Sequence, residues 1–110
     1  MVLMYNQVIF PPNQANKVAK RYIEWLKDNP PDTSIEKTLC IGIRSTEDGN
    51  IVAIGISEAA KGKVAEALQL GTQQNLFLAA GIEGCKYKLD VMMDFKEGYK
   101  ILGMAPPPEV

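Results

Sequence analysis

The stretch Thr38–Ser57, TLCIGIRSTEDGNIVAIGIS, decides the fold. Before its centre, Leu39, Ile41 and Ile43 alternate with Thr38, Cys40, Gly42 and Arg44. After it, Val52, Ile54 and Ile56 alternate with Ile51, Ala53, Gly55 and Ser57. A period of two is the mark of a half-buried strand. Asp48-Gly49 between two such runs is the strongest short-range hairpin signal. A two-residue turn there pairs Glu47 with Asn50. The ladder then sets Ile43 opposite Ile54 and Ile41 opposite Ile56, so the large aliphatics share one face. The same register sets Gly42 opposite Gly55 and Cys40 opposite Ser57 on the other face.

Upstream, Met1 to Phe10 reads as a strand with Tyr5, Gln7 and Ile9 on one face and Met4, Asn6, Val8 and Phe10 on the other. Pro11-Pro12 stops it, because proline cannot donate to a ladder but is tolerated at a helix start. A helix is predicted from Asn13 to Asp28, with an apolar stripe of Ala15, Val18, Ala19, Tyr22 and Leu26 and Trp25 at its edge. Asn29-Pro30-Pro31-Asp32 ends it. Downstream, a second helix is expected from Ala59 to Leu70, with Gly71 breaking or kinking it before a further stretch to Ala80. The last strand is Cys85 to Phe95. Tyr87, Leu89, Val91, Met93 and Phe95 lie on one face, and Lys86, Lys88, Asp90 and Asp94 on the other. Phe95 to Leu102 forms a short closing helix capped by Gly103.

The predicted order is β, α, β, β, α, β, a split βαβ arrangement. This is an α+β, ferredoxin-like fold, an antiparallel four-stranded sheet with both helices on one face. The helices are expected to cover Ile41, Ile43, Ile54, Ile56, Leu89 and Val91. Residues 1–103 would form the domain and residues 104–110, with Pro106-Pro107-Pro108, a tail.

Composition excludes several classes. The chain has 110 residues, 46% hydrophobic and 23% charged, with a formal net charge of −1. Disorder is not expected at this balance, and nucleic acid and anionic membranes are poor partners for so little net charge. No apolar run is long enough to span a bilayer. The apolar start lacks a basic region and a cleavage pattern, which points to the cytoplasm. Cys40 and Cys85 are too far apart in sequence for a C-x-x-C motif, and reduced thiols are expected. There is no histidine. That removes the commonest general base and metal ligand, and with it any Ser-His-Asp or Cys-His nucleophile.

The face opposite the aliphatics would carry Thr38, Cys40, Gly42, Arg44, Ile51, Ala53, Gly55 and Ser57. Facing glycines leave bare backbone for close approach. Such a face is either solvated or packed, and Ile51, Ala53, Cys40 and Met92 favour packing. Stacking against the sheet of a second copy is the simplest arrangement.

The layout resembles the dimeric α/β-barrel superfamily, in which two ferredoxin-like subunits stack their sheets. Within it the chain is similar to short uncharacterised bacterial and archaeal domains. The likeness rests on Val8-Ile9-Phe10-Pro11-Pro12, on Pro30-Pro31-Asp32, and on Gly62-Lys63 followed by Glu66-Ala67-Leu68. The resemblance implies a homodimer. Members of the superfamily include quinol-type monooxygenases, haem-degrading enzymes, dye-decolourising peroxidases, stress-responsive dimers and sensing domains of transcription regulators. The haem-binding branches usually use a histidine ligand, which this chain lacks.

Few chemistries remain. Cys40, in mid-strand, is expected to be a buried structural thiol, while Cys85 sits beside Lys86 and Lys88, which would favour a thiolate. Asp90 and Asp94 on one strand face read as a solvated edge rather than a cation site. Gly62-Lys63 without a Gly-rich loop before it reads as a surface turn. No metal and no cofactor is expected. The residues expected to face a small ligand are Tyr5, Gln7, Cys40, Gly42, Arg44, Gly55 and Ser57. The expected function is a homodimeric domain binding a small ligand or a partner. The alternative is a cofactor-free small-molecule enzyme of the monooxygenase or isomerase type.

Overall fold

The computed structural model describes residues 1–108. Four strands, β1 (Val2–Phe10), β2 (Glu36–Ser45), β3 (Ile51–Ala59) and β4 (Lys86–Met93), form one antiparallel sheet in the order β2-β3-β1-β4. A 3-10 turn over Pro12–Gln14 leads into α1 (Ala15–Asp28); α2 (Val64–Ala79) joins β3 to β4, and α3 (Phe95–Ile101) follows β4. The ferredoxin-like βαββαβ fold is therefore present. Both crossover helices pack on one face, where Val8 and Phe10 of β1 meet Val18 of α1, Leu78 of α2 and the loop residue Ile82. A second cluster joins Met4, Ala59 and Ala67.

The hairpin register is one residue away from the expected one. Ser45 pairs with Ile51, Ile43 with Ala53, Gly42 with Ile54 and Ile41 with Gly55. A two-residue type I′ turn needs positive φ at both central residues, yet among the described residues only glycines have it, and here that is Gly49 at +86°. The loop instead contains Glu47, Asp48 and Gly49. Thr46 N–H donates to Asn50 C=O at 2.8 Å, Gly49 N–H to Thr46 C=O at 3.1 Å, and Asn50 N–H to the Thr46 hydroxyl at 3.0 Å. This is a three-residue loop with glycine in the left-handed position. The hydroxyl of Thr46, which also donates to Asp48, holds it closed.

The one-residue slip exchanges the faces of β3 relative to expectation. Ile51, Ala53, Gly55, Ser57 and Ala59 turn toward the helices with Met4, Asn6, Val8 and Phe10. Val52, Ile54 and Ile56 lie on the face away from the helices, the open face, with Leu3, Tyr5, Gln7 and Ile9, and of these Val52 is fully buried. Ile41 and Ile43 stay on the helix side but lie on the edge strand beyond the helices, 60% and 74% exposed.

Helix α2 runs through Gly71 without a break. A Cβ at that position would come within 2.9 Å of a Leu89 methyl, so the glycine serves close approach to β4 and not a kink. Asp94 leaves the last strand and caps α3, its carboxylate accepting from Glu97 N–H at 2.8 Å. This separates it from Asp90. Gly103 N–H closes the other end on Lys100 C=O at 3.0 Å. Of the expected tail, Met104–Pro108 is irregular and residues 109–110 lie outside the described residues. Among the described residues no helix is long and apolar enough to cross a membrane.

Gly49→Ala should cost about 1–2 kcal/mol, since a side chain is strained in the left-handed region; Gly49→Asn should lose less. Urea unfolding of the two variants measures the difference, and equal midpoints would contradict the loop described. The Asp94 carboxyl is held below its usual range chiefly by Glu97 N–H. Its stabilisation of α3 is present above the unfolded carboxylate pKa and lost as pH falls through the lowered folded value. Amide protection factors in α3, taken relative to the intrinsic exchange rate at each pH, should therefore fall on acidification, and Asp94→Ala should show low protection at every pH.

A cleft between the first helix and the sheet edge

The slipped register places small side chains under α1. Ala53, Gly55 and Ser57 leave the floor low, and a Cβ built at Gly55 would meet no atom within 4 Å. The first half of α1 is anchored by Val18 in the core. Its outer side is tied to α2: Arg21 Nη1 donates to Phe77 C=O at 2.9 Å and the guanidinium lies 5.6 Å from the Phe77 ring centre. Trp25 packs against the same ring at 5.8 Å, and Lys17 Nζ donates to Gly81 C=O at 3.0 Å. The second half of α1 thus roofs a cleft rather than resting on strand side chains.

The cleft has two lobes. An inner lobe of about 110 Å³ lies over Met4, Asn6, Gly55, Ser57 and Leu89 beneath α2. An outer lobe of about 290 Å³ runs between Trp25, Leu26, Pro30, Pro31, Ile35 and Leu70. Tyr22, Glu36, Thr38 and Gln74 border both lobes and form a polar waist.

Glu36 and Thr38 reach this waist because β2 carries a bulge at Leu39. The ladder runs from Cys40 opposite Ile56 to Thr38 opposite Ser57, with Leu39 extra. A bulge shifts the alternation of all residues beyond it. Without it, Leu39 and Lys37 would face the cleft, and Thr38 and Glu36 would point to the open face. With it, Ser57 Oγ donates to Glu36 Oε2 at 2.6 Å across the floor.

The inner wall is fixed by an amide pair. Asn75 of α2 is 0% exposed. Its Nδ2 donates to Asn6 Oδ1 at 2.7 Å, and Asn6 Nδ2 donates to Asn75 Oδ1 at 3.0 Å. The buried Asn75 amide would cost free energy alone and the half-buried Asn6 amide somewhat less, so the pair pins α2 to β1 in one position.

The seven residues expected around a ligand do not converge. Tyr5, Gln7, Cys40, Gly42 and Arg44 lie on the open face, where Tyr5 Oη donates to Gln7 Oε1 at 2.8 Å. Gly55 and Ser57 are on the opposite side of the sheet, in the cleft. Gly42 faces Ile54 and not Gly55; Cys40 faces Ile56 and not Ser57. Cys40 is exposed on the edge strand rather than buried. Burial pushes the Cys85 thiol up, away from the thiolate that neighbouring lysines would favour. Among the described residues, no group of three or more potential ligand side chains is placed to hold a metal ion. Tyr22, Glu36, Thr38, Gln74 and Asn75 were not anticipated. A signal existed for Asn75 alone, since it falls in the apolar stripe Leu68, Gly71, Asn75, Leu78, where a polar group needs a partner.

No family model matches the chain, and a search of curated proteins finds no match. Solved structures share its fold. A de novo designed protein superposes with a TM-score of 0.54 at 12% identity, covering 84% of this chain and 97% of that one. A conserved protein from Methanosarcina mazei Go1 gives 0.53 at 6% identity, covering 86% and 94%. An antibiotic biosynthesis monooxygenase gives 0.50 at 16% identity, covering 86% and 98%. At these identities the likeness is one of fold.

Asn75→Leu strands the Asn6 amide and should destabilise by about 1–3 kcal/mol. Adding Asn6→Val removes the stranded group and should recover part of the loss. Urea unfolding of the cycle checks this; additive losses would mean that the pair is not coupled.

Proposed function

We propose that the chain forms a homodimer through the open sheet face and binds a small, partly apolar ligand in the cleft under α1. The observation that carries the ligand reading is the bulge at Leu39, which turns Glu36 and Thr38 into a cleft where apolar walls alternate with polar side chains such as Asn6, Ser57 and Gln74. A concave, mainly apolar space with a few convergent polar groups is the usual form of a small-molecule site.

The dimer reading rests on the pattern of the open face. From the hairpin end, successive rows are Arg44, Val52, Ile9, Lys86; then Gly42, Ile54, Gln7, Lys88; then Cys40, Ile56, Tyr5, Asp90. The fourth row is Lys37, Glu58, Leu3, Met92. Lys88 and Asp90 already pair at 3.3 Å on this face. A second copy laid on it with strands reversed sets Ile54 over Ile56 of the partner subunit, Ile9 over Leu3 and Lys88 over Asp90. Aliphatic groups then meet in the Ile54–Ile56 and Ile9–Leu3 pairs and opposite charges in Lys88–Asp90, while Arg44 falls over Lys37 of the partner subunit at the far edge. The antibiotic biosynthesis monooxygenase has the same fold, which makes an enzyme the second reading. At the outer lobe, the Asp32 carboxyl is held low by the hydroxyl and N–H of Ser34, which is a turn interaction rather than a catalytic one.

Sedimentation at micromolar concentration should give a dimer, and Ile54→Lys with Ile56→Lys a folded monomer. A monomeric parent protein would sink the stacking arrangement. A fragment screen by amide chemical shifts should perturb Tyr22, Trp25, Glu36, Thr38 and Gln74 together. Gly55→Val, which fills the inner lobe, should remove those shifts while leaving the sedimentation unchanged. Shifts confined to the open face, or binding untouched by Gly55→Val, would overturn the cleft reading.

A further inference from the structure

We infer that the ligand of the cleft is a small organic cation, an amine carried on an apolar or aromatic body; the inference rests on the ligand-binding reading above. Among the described residues the charged side chains that border the two lobes are Glu36 and Asp32, and no lysine or arginine borders either. The two carboxylates are not equivalent. Asp32 accepts from Ser34 N–H at 3.0 Å and from the Ser34 hydroxyl at 2.6 Å, and Lys63 acts on it electrostatically. Its charge is therefore already partly answered. Glu36 stands at the waist, half-buried, with Ser57 Oγ on one carboxylate oxygen. An ionised carboxylate accepts at about four lone-pair sites, so the remaining ones are open to a donor in the cleft.

The bulge decides the sign of this site. Without the extra residue at Leu39, the alternation would bring Lys37 to the position that Glu36 takes. The surrounding walls suit a cation as well. Tyr22 at the waist and Trp25 in the outer lobe present aromatic rings, whose faces attract ammonium groups. Thr38 and Gln74 supply further acceptors at the same level. An anion placed there would meet a carboxylate with no compensating charge in the lining. A neutral alcohol would gain the apolar walls but only an ordinary hydrogen bond from Glu36. An ammonium group gains a charge-assisted one.

The chain has a single tryptophan, Trp25, which lines the outer lobe and reports occupancy directly. Titrations of Trp25 fluorescence at neutral pH and constant ionic strength would compare 2-phenylethylamine, 2-phenylethanol and phenylacetate. The amine should bind at least about tenfold more tightly than the alcohol, and phenylacetate should bind most weakly. Glu36→Gln should abolish the preference for the amine while leaving alcohol binding in place. Tyr22→Leu should narrow the gap, and it stands as the second variant if Glu36→Gln does not fold. Equal or tighter binding of the alcohol or of phenylacetate overturns the cation inference and leaves the cleft reading standing. A preference for the amine that survives in Glu36→Gln overturns it too. Absence of binding by all three, in fluorescence and in amide shifts, overturns both.

Discussion

Thr46 N–H bonded to Asn50 C=O, with Gly49 in the left-handed region between them, is the constraint on which the rest of the molecule depends. A loop of three residues instead of two moves every pair of the β2–β3 ladder by one position. Because side chains alternate across a sheet, that single step decides which half of β3 lies under the helices. The half chosen is the small one: Ala53, Gly55 and Ser57. The bulky half, Val52, Ile54 and Ile56, is left on the side without helices, where Val52 is buried and Ile54 and Ile56 are half-buried. A low floor beneath α1 and an aliphatic surface on the other side are thus two results of one turn.

The second irregularity acts on the first. The bulge at Leu39 returns β2 to the opposite alternation for its first residues, so the hairpin has one phase near the turn and another near Glu36. Edge strands tolerate such interruptions and often use them to aim side chains and to blunt the edge. Here Thr38 and Glu36 reach the cleft while Ile41 and Ile43 remain at its exposed lip. The roof is held from the side by Arg21, Trp25 and Phe77 and from below by Val18. The inner wall is set by the reciprocal amides of Asn6 and Asn75. Space and polarity in the cleft come from separate parts of the chain, and each can be changed alone.

Much of the fold was legible in the residues, and less of the candidate site. The period-two runs, the proline stops and the helical stripes placed the elements nearly where they lie, including the grouping of Met4, Asn6, Val8 and Phe10 on one side of β1. Gly55 and Ser57 are among the expected ligand-facing residues, but with Tyr5, Gln7, Cys40, Gly42 and Arg44, from which the thickness of the sheet divides them. Asp48-Gly49 suits both a type I′ turn and a longer loop, and the choice between them depended on the Thr46 hydroxyl and on Asp48 keeping negative φ. The aliphatic pattern pointed to the wrong register because it assumed that large side chains seek the helices. In β3 the open face carries them, while Ile41 and Ile43 of β2 stay on the helix side.

By itself the sequence determined the order of elements, the antiparallel four-stranded topology, the absence of histidine chemistry, and the presence of two unlike sheet faces. These follow from local periodicity, turn residues and composition, which need no distant contact. The tertiary structure decided which face is which, where β2 changes phase, and that Glu36, Thr38, Tyr22 and Gln74 meet at one waist. Those outcomes depend on a one-residue difference in loop length and one extra residue in an edge strand, each small in energy. Neither leaves a mark in the pattern of apolar residues, so the hairpin that decided the fold settled its faces only when the ladder closed.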